Sequence, residues 1–330
     1  MTKRERSDTL AIQNSTGLRS FRDILFIAAG FLVIMPVLGI NRTTDFIIFS
    51  IFVMGFNILY GFMGRLSFGH MLYLGCGAYG MTLFTEHVSR NPFLAIIASI
   101  CAGAIVGAIL GPIVVRTTGA CFALINLAFN QVGYFLVVVA FSKYTGGEDG
   151  MSVSFSKFGF IDFSNKPFKF GFVLLCLLLS YYLLRKLTSS PYGVLIKSIK
   201  ENETRVKFLG YNTFVYKWIT FIISTALSAF AGALSMLNYG YVTPSFIDPS
   251  RAVEVIFAAL IGGAGSLYGS IIGGVIYMAI SNYLASYIPR WEMFLGFTLL
   301  IVVFRFRTGV WGYVSEKFKG CTKAMPVRTS

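Results

Sequence analysis

The sequence predicts an all-α polytopic membrane protein of about ten transmembrane helices, some short or broken, with both termini cytoplasmic. Three observations carry this. Of 330 residues, 55% are hydrophobic and only 13% charged, about half the roughly 25% of a soluble domain. The apolar runs are unbroken and about 20 residues long, whereas a membrane β-barrel alternates apolar and polar residues over segments of about 10. The 28 Lys and Arg residues also divide unevenly between alternate loops. Such a composition excludes a soluble enzyme, a disordered chain and a disulfide scaffold.

The elements follow in order. A basic start holds Lys3, Arg4, Arg6, Arg19 and Arg22. It precedes the apolar run Phe21–Ile40, which reads as a first crossing because further spans follow at once. Nine more candidates are Asp45–Met63, His70–Val88, Pro92–Val115, Ala120–Phe141, Phe168–Leu184, Phe214–Tyr239, Ala252–Ile261, Leu267–Ile288 and Trp291–Phe304. Ala252–Ile261 is too short for an ordinary span and ends in Gly262-Gly263-Ala264-Gly265. It reads as a broken or re-entrant segment, tolerable in a membrane only under protein cover. With ten crossings, 20 of the 28 basic residues fall on the side of the termini and 8 on the other, so the termini are expected inside. The expected division is a cytoplasmic segment over 1–22, a transmembrane domain over 23–312 and a cytoplasmic tail over 313–330.

The net charge of +14 is absorbed by this loop asymmetry, and no nucleic-acid partner is expected. Five cysteines form no Cys-x-x-Cys pair, and four lie in apolar runs as packing residues. No metal site is expected. No Gly-x-x-x-x-Gly-Lys-[Ser/Thr] occurs, so the chain carries no P-loop of its own.

Several constellations stand out. Gly61-Phe62-Met63-Gly64-Arg65-Leu66-Ser67-Phe68-Gly69-His70 depletes helix propensity. It is either a broken helix that exposes backbone to cargo or a tight turn followed by close helix packing. Gly262–Gly269 echoes it, as an internal repeat would. Ser99, Gly103, Gly107 and Gly111 recur every four residues and form a close-approach face for another helix. Thr145–Gly150 is a glycine turn with two acids, expected outside. Polar residues inside spans are the strongest functional hints: Asn57, Asn126, Asn130, Gln131, Ser224, Asn238, Glu254 and Asn282. Asn57, Ser67, His70, Asn126 and Asn130 are the candidates for a solute pathway. His70 has no second ligand in sequence and reads as a hydrogen-bonding histidine. Too few buried carboxylates are present for a proton relay.

Between the sixth and seventh candidates, Ser189–Asn212 is polar enough to leave the membrane. Leu195, Ile199, Val206 and Leu209 fall on one face of a helix there, Glu201, Glu203 and the basic residues fill the rest, and Gly210 is placed to end it. Such a helix is expected to dock on lipid or in a partner's groove.

From Asp45 to Gly312 the chain resembles the LivM-type permease subunits of branched-chain amino acid ABC importers. Gly61–His70 is similar to that family's Gly-x-x-Gly-x-Leu-Ser-x-Gly-His block. Thr145–Gly150 is similar to its Thr-Gly-Gly-x-Asp-Gly segment, Ser198–Glu203 to its Ala-Ile-Arg-Glu-Asn-Glu helix, and Gly262–Gly269 to its second glycine block. Arg65 stands where the family commonly has glutamine, and Met71, Leu72 and Tyr73 also depart from it. The resemblance implies a bacterial inner-membrane permease, not itself an enzyme, with no catalytic residues and no bound cofactor. ATP would be used by two cytoplasmic ATPase subunits. The other implied partners are a second homologous permease and a periplasmic solute-binding protein. It also implies that Leu195–Gly210 is the coupling helix seated in an ATPase. The cargo implied is leucine, isoleucine or valine; the alternatives are urea, amides or aromatic acids, or a stand-alone secondary transporter.

Overall fold

The computed structural model describes residues 22–153, 163, 165–287, 293–294, 296–297 and 309–312. Most of the expected segment 1–22, all of the tail 313–330 and most of the tenth candidate Trp291–Phe304 lie outside these residues.

The helices are α1 (22–38), α2 (Ile40–Asn57), α3 (His70–His87), α4 (Pro92–Val114), α5 (Gly119–Phe135), the short α6 (Ser142–Thr145), α7 (Lys166–Ser189), α8 (Pro191–Phe208), α9 (Thr213–Tyr239), α10 (Ala252–Gly262) and α11 (Leu267–Tyr287). π-helical turns extend α2 over Ile58–Phe62 and α5 over Leu136–Ala140. Local chemistry sets several starts. Asn91 accepts a 3.0 Å bond from the Phe93 N–H, with Pro92 at the first helical position, a favoured helix entry.

Among the described residues six helices are long and apolar enough to cross a membrane: Ile40–Phe62, Pro92–Val114, Gly119–Ala140, Lys166–Ser189, Thr213–Tyr239 and Leu267–Tyr287. The chain is therefore an all-α polytopic membrane protein. Helix α3 is less apolar for a physical reason: most of it is buried in protein, so protein rather than lipid solvates it. Helix α10 has 11 residues, a rise of about 16 Å, half the hydrocarbon thickness. Two 3₁₀ turns, Pro244–Phe246 and Pro249–Arg251, lead into it. The expected broken segment is thus a short, largely buried helix.

Helix α9 is the centre of the bundle. A Cβ on Gly103 would run into Ala229, one on Gly107 into Thr225, and one on Gly111 into Trp218. The predicted small-residue stripe of α4 is thus the face that lies against α9, antiparallel to it. On another side His70 of α3 meets Ser224 of α9, and further along Gly232 sits against the backbone of Leu74 and Ala78, which makes α3 parallel to α9. Gly55 of α2 approaches Ser224 and Leu227 while Asp45 reaches Asn238, antiparallel again. α10 and α11 form a hairpin through Gly262 and Gly269, and Gly274 of α11 lies on Ser50 of α2. These directions agree with the alternation expected from sequence.

The sequence offered no sign of a strand. The glycine turn after Thr145 carries the chain into β1 (Met151–Ser152), which pairs antiparallel with β2 (Tyr241–Val242), Met151 opposite Val242. The Thr145 hydroxyl lies 2.6 Å from the Val137 carbonyl and anchors the turn. Glu148 and Asp149 remain exposed.

Replacing Gly107 by leucine forces side-chain carbons into Thr225. We expect a loss of about 1–3 kcal/mol, read as a lowered thermal unfolding temperature in detergent. Gly171→Leu, at a position with open space around its Cβ, should leave that temperature nearly unchanged.

Candidate functional site

Two regions gather the sequence-predicted residues. The first is the junction of the two glycine blocks. Asn57, fully buried, donates to the Ser266 carbonyl at 2.9 Å and to Ser270 Oγ at 2.6 Å, and accepts from the Gly265 N–H at 3.1 Å. Both its N–H groups are in use, so it clamps the blocks together and has no donor left for a solute. Gly61 and Gly265 touch there: a Cβ on Gly61 would overlap the Gly265 backbone and Asn57 Oδ1. The echo noted in sequence is therefore a contact in space. Ser266 belongs to the second glycine block, while Ser270 lies just beyond it and carries no signal of its own in the sequence.

The Gly61–His70 block proves to be the end of a π-helical turn followed by irregular chain with a left-handed Gly64, and α3 starts at His70. Ser67 accepts a 3.3 Å bond from the Gly69 N–H. His70 Nε2 lies 2.8 Å from Ser224 Oγ, and Ser224 donates at 2.6 Å to the Gly55 carbonyl. The serine proton is committed to that carbonyl, so the network assigns the N–H of His70 to Nε2. No metal-ligand cluster occurs among the described residues.

On α5, Asn126 donates at 2.8 Å to the Phe122 carbonyl and Asn130 at 3.0 Å to the Ile247 carbonyl. The Oδ1 atoms of both, with Tyr79 OH, Tyr73 OH and His70 Nδ1, are buried without a hydrogen-bond partner. Unsatisfied polar atoms are uncommon in folded proteins and each calls for an explanation. Of the five pathway candidates, Asn126, Asn130 and His70 keep free polar atoms; Asn57 and Ser67 serve the local architecture.

The second region is α8. Its expected single face does not exist. Asn202 has φ −157° and ψ 93°, outside helical space, and its side chain accepts a 2.9 Å bond from the Arg205 N–H. Asn202 is an N-cap, so α8 is two helices meeting at a kink. Leu195 and Ile199 lie on the first, Val206 on the second, and Leu209 closes it. Ile199 and Val206, expected to meet a partner, are buried within the chain at 4% and 3% exposure. Leu195 is half-buried and Glu201 exposed. The apolar groups left to a partner are Val194 at 60%, Phe208 at 87% and Leu209 at 69%, next to the left-handed Gly210, φ +86°.

Glu203 ties this segment to the bundle. It pairs with Arg65 at 3.0 Å, Lys207 at 3.1 Å and Lys217 at 2.8 Å, and accepts from Thr213 at 3.1 Å. Burial alone would raise its carboxyl. The hydrogen bonds from Lys217 and Lys207, with the Lys217 charge and Thr213, outweigh that and lower it from 4.5 to about 2. Lys200 Nζ caps the Gly61 carbonyl at 2.7 Å. Arg65, which stands where the family commonly has glutamine, staples the glycine block to α8. One segment therefore holds the end of α2, the glycine junction and the start of α9.

These geometries separate clamp from candidate path. Asn57→Leu strips three hydrogen bonds and strands buried partners, at about 1–3 kcal/mol for such a group; the unfolding temperature should fall. Asn126→Leu gives up one local bond and removes an unpartnered oxygen. It should leave that temperature nearly unchanged while lowering uptake in vesicles.

Comparison with known proteins gives the family. Residues 39–304 match the family described as branched-chain amino acid transport system / permease component. The chain is 26% identical over 309 residues to the high-affinity branched-chain amino acid transport system permease protein LivM of Escherichia coli, covering 86% of this chain and 72% of that protein. It is 24% identical over 308 residues to BraD of Pseudomonas aeruginosa, covering 83% and 94%. It is also 31% identical over 115 residues to LivH of Salmonella typhimurium, covering 34% and 37%. No solved structure matches. With four fifths of its length inside one family model and its glycine blocks joined in space, the chain belongs to the branched-chain amino acid transport system permease family.

Proposed function

We propose that this chain is the membrane-spanning permease subunit of an ATP-driven importer for leucine, isoleucine and valine in a bacterial inner membrane. The observation that carries the reading is the family match over residues 39–304. In this reading about ten spans place both termini and α8 in the cytoplasm and the β1–β2 ladder outside. Similarity to both LivM and LivH supports pairing with a second, homologous permease. Two ATPase subunits would bind the α8 side, and a soluble solute-binding protein the opposite side, where Glu148 and Asp149 are exposed. The chain binds no cofactor of its own; hydrolysis belongs to the ATPases.

The kinked α8 suits a coupling element. Its outer surface offers Val194, Phe208 and Leu209 to an ATPase. Its inner surface is fastened through Arg65, Glu203, Lys217 and Lys200 to the glycine junction and α9. A displacement of α8 by an ATPase would reach both at once.

Phe208→Asp with Leu209→Asp puts two charges into the expected apolar contact, a desolvation of several kcal/mol, while the buried side of α8 stays intact. We expect the permease to insert and pair normally, but ATPase co-purification and leucine-stimulated ATP hydrolysis to fall at least tenfold. Retention of both at wild-type levels rules out this surface as the coupling contact. Topology has its own measurement. On a background lacking native cysteines, Ser152→Cys should label only from the periplasm and Thr204→Cys only from the cytoplasm.

A further inference from the structure

A cavity of about 280 Å³ lies at the β1–β2 end of the bundle, between α2, α3, α9, α10 and α11. Its depth is apolar, lined by Ile48, Phe52, Met71, Leu74 and Met278, of which Ile48, Phe52 and Met71 are almost fully buried at 4%, 2% and 3% exposure. Its rim is polar and charged, with Asp45, Arg251 and Glu254 beside Tyr239 and Ser245. The volume, about 280 Å³, falls just below the range of about 300–1,000 Å³ for small-molecule sites, as suits a small solute. The larger cavity of about 900 Å³ between α3, α4 and α5 has almost no polar wall and offers nothing to a charged solute.

The rim charges are only partly spent on each other: Arg251 and Glu254 pair, and Asp45 stands outside that pair. Arg251 holds Glu254 through Nε at 2.9 Å and Nη2 at 3.4 Å, and gives Nη1 to the Ser245 carbonyl at 3.3 Å. A guanidinium carries five N–H groups, so two remain, and the side chain is 43% exposed. Asp45 accepts from Asn238 at 2.7 Å and from the Tyr239 hydroxyl, both neutral groups, and no cation pairs with it among the described residues. A carboxylate at a span end without a counter-charge is uncommon and marks a place for a cation. The cavity thus presents an anion that lacks a cation, a cation with donors to spare, and an apolar floor.

We infer that this cavity is a binding site for a zwitterionic α-amino acid with an apolar side chain, its ammonium group on Asp45, its carboxylate on Arg251 and its side chain in the Ile48–Phe52–Met71 floor. This deepens the proposed function and rests on it for the choice of leucine as probe. Glu254 holds the guanidinium in place and keeps a bare anion from entering, because the rim carries two carboxylates to one cation. The apolar floor excludes polar side chains, which would lose water there without a partner.

The test uses the assembled permease–ATPase complex in nanodiscs without the binding protein, with radiolabelled leucine as ligand. Leucinol, which lacks the carboxylate, and 4-methylpentanoate, which lacks the ammonium, are the competitors. In the wild type leucine should bind, and each competitor should be roughly tenfold weaker or worse, as expected for a lost charged hydrogen bond. Asp45→Asn should weaken leucine roughly tenfold and bind 4-methylpentanoate no more weakly than the wild type does, because one carboxylate that repels it is gone. Arg251→Gln with Glu254→Gln removes the pair together, so no charge is stranded; it should weaken leucine but not leucinol. Ser245→Trp, at an exposed rim position, should block leucine binding outright. The inference is overturned if the wild-type complex binds no leucine, or if the variants keep wild-type affinity and ranking. ATP-driven leucine uptake by the complete wild-type importer, measured in parallel, tells the two readings apart. Uptake without variant effects removes the cavity alone, and no uptake of leucine removes the proposed function and the cavity with it.

Discussion

Close contact between helix backbones holds this bundle. Lipid tails are as apolar as leucine, so separating two apolar helices in a membrane carries little hydrophobic penalty, and van der Waals packing has to hold them. Small residues make that packing possible, and α9 carries them on several sides. Gly232 admits α3, Ala229 and Thr225 receive the glycine face of α4, and Ser224 lies against Gly55 of α2. The other elements are placed by reference to this helix. The antiparallel and parallel directions set around it bring the two glycine blocks to one end of the bundle and Asp45, Arg251 and Glu254 to the other.

Polar side chains inside the bundle obey a second constraint, because lipid cannot satisfy them. Most pair within their own helix, as Thr82 does with the Ala78 carbonyl and Ser99 with the Ala95 carbonyl. Others join elements: Asn57 joins the glycine blocks, His70 and Ser224 join α3, α9 and α2, and Asn238 holds Asp45. Against that background, the unpartnered oxygens of Tyr79, Asn126 and Asn130 stand on α3 and α5. Helix α5 also exposes large apolar groups such as Leu124, Val132 and Phe135. In the proposed importer these fit lipid or the second permease.

Between the two ends lies the mechanical link. Glu203 is a four-partner hub whose carboxylate stays ionised at neutral pH, and its ligands come from the glycine block, its own helix and α9. A single exposed ion pair is worth about 0–1 kcal/mol, but a network around one half-buried carboxylate resists displacement by any one partner. In the proposed importer, force on α8 is delivered to α9 and the glycine junction through these charges rather than through the covalent loop.

The sequence by itself determined the membrane class, the positions of the long apolar helices among the described residues and the close-approach role of Ser99, Gly103, Gly107 and Gly111, since each follows from composition or local spacing. It also marked the two glycine blocks and the polar residues worth following. Tertiary structure alone decided what those residues touch. Asn57 is a clamp because Gly265 and Ser270, more than two hundred residues away, fold against it. Ile199 and Val206 are internal because Asn202 caps a second helix and turns the chain inward, which a single helical wheel cannot represent. Arg65 is a staple because Glu203 is opposite it. The charged cavity needed the ends of α2, α9 and α10 nearest the β1–β2 ladder brought together, and no spacing within one segment carries that information.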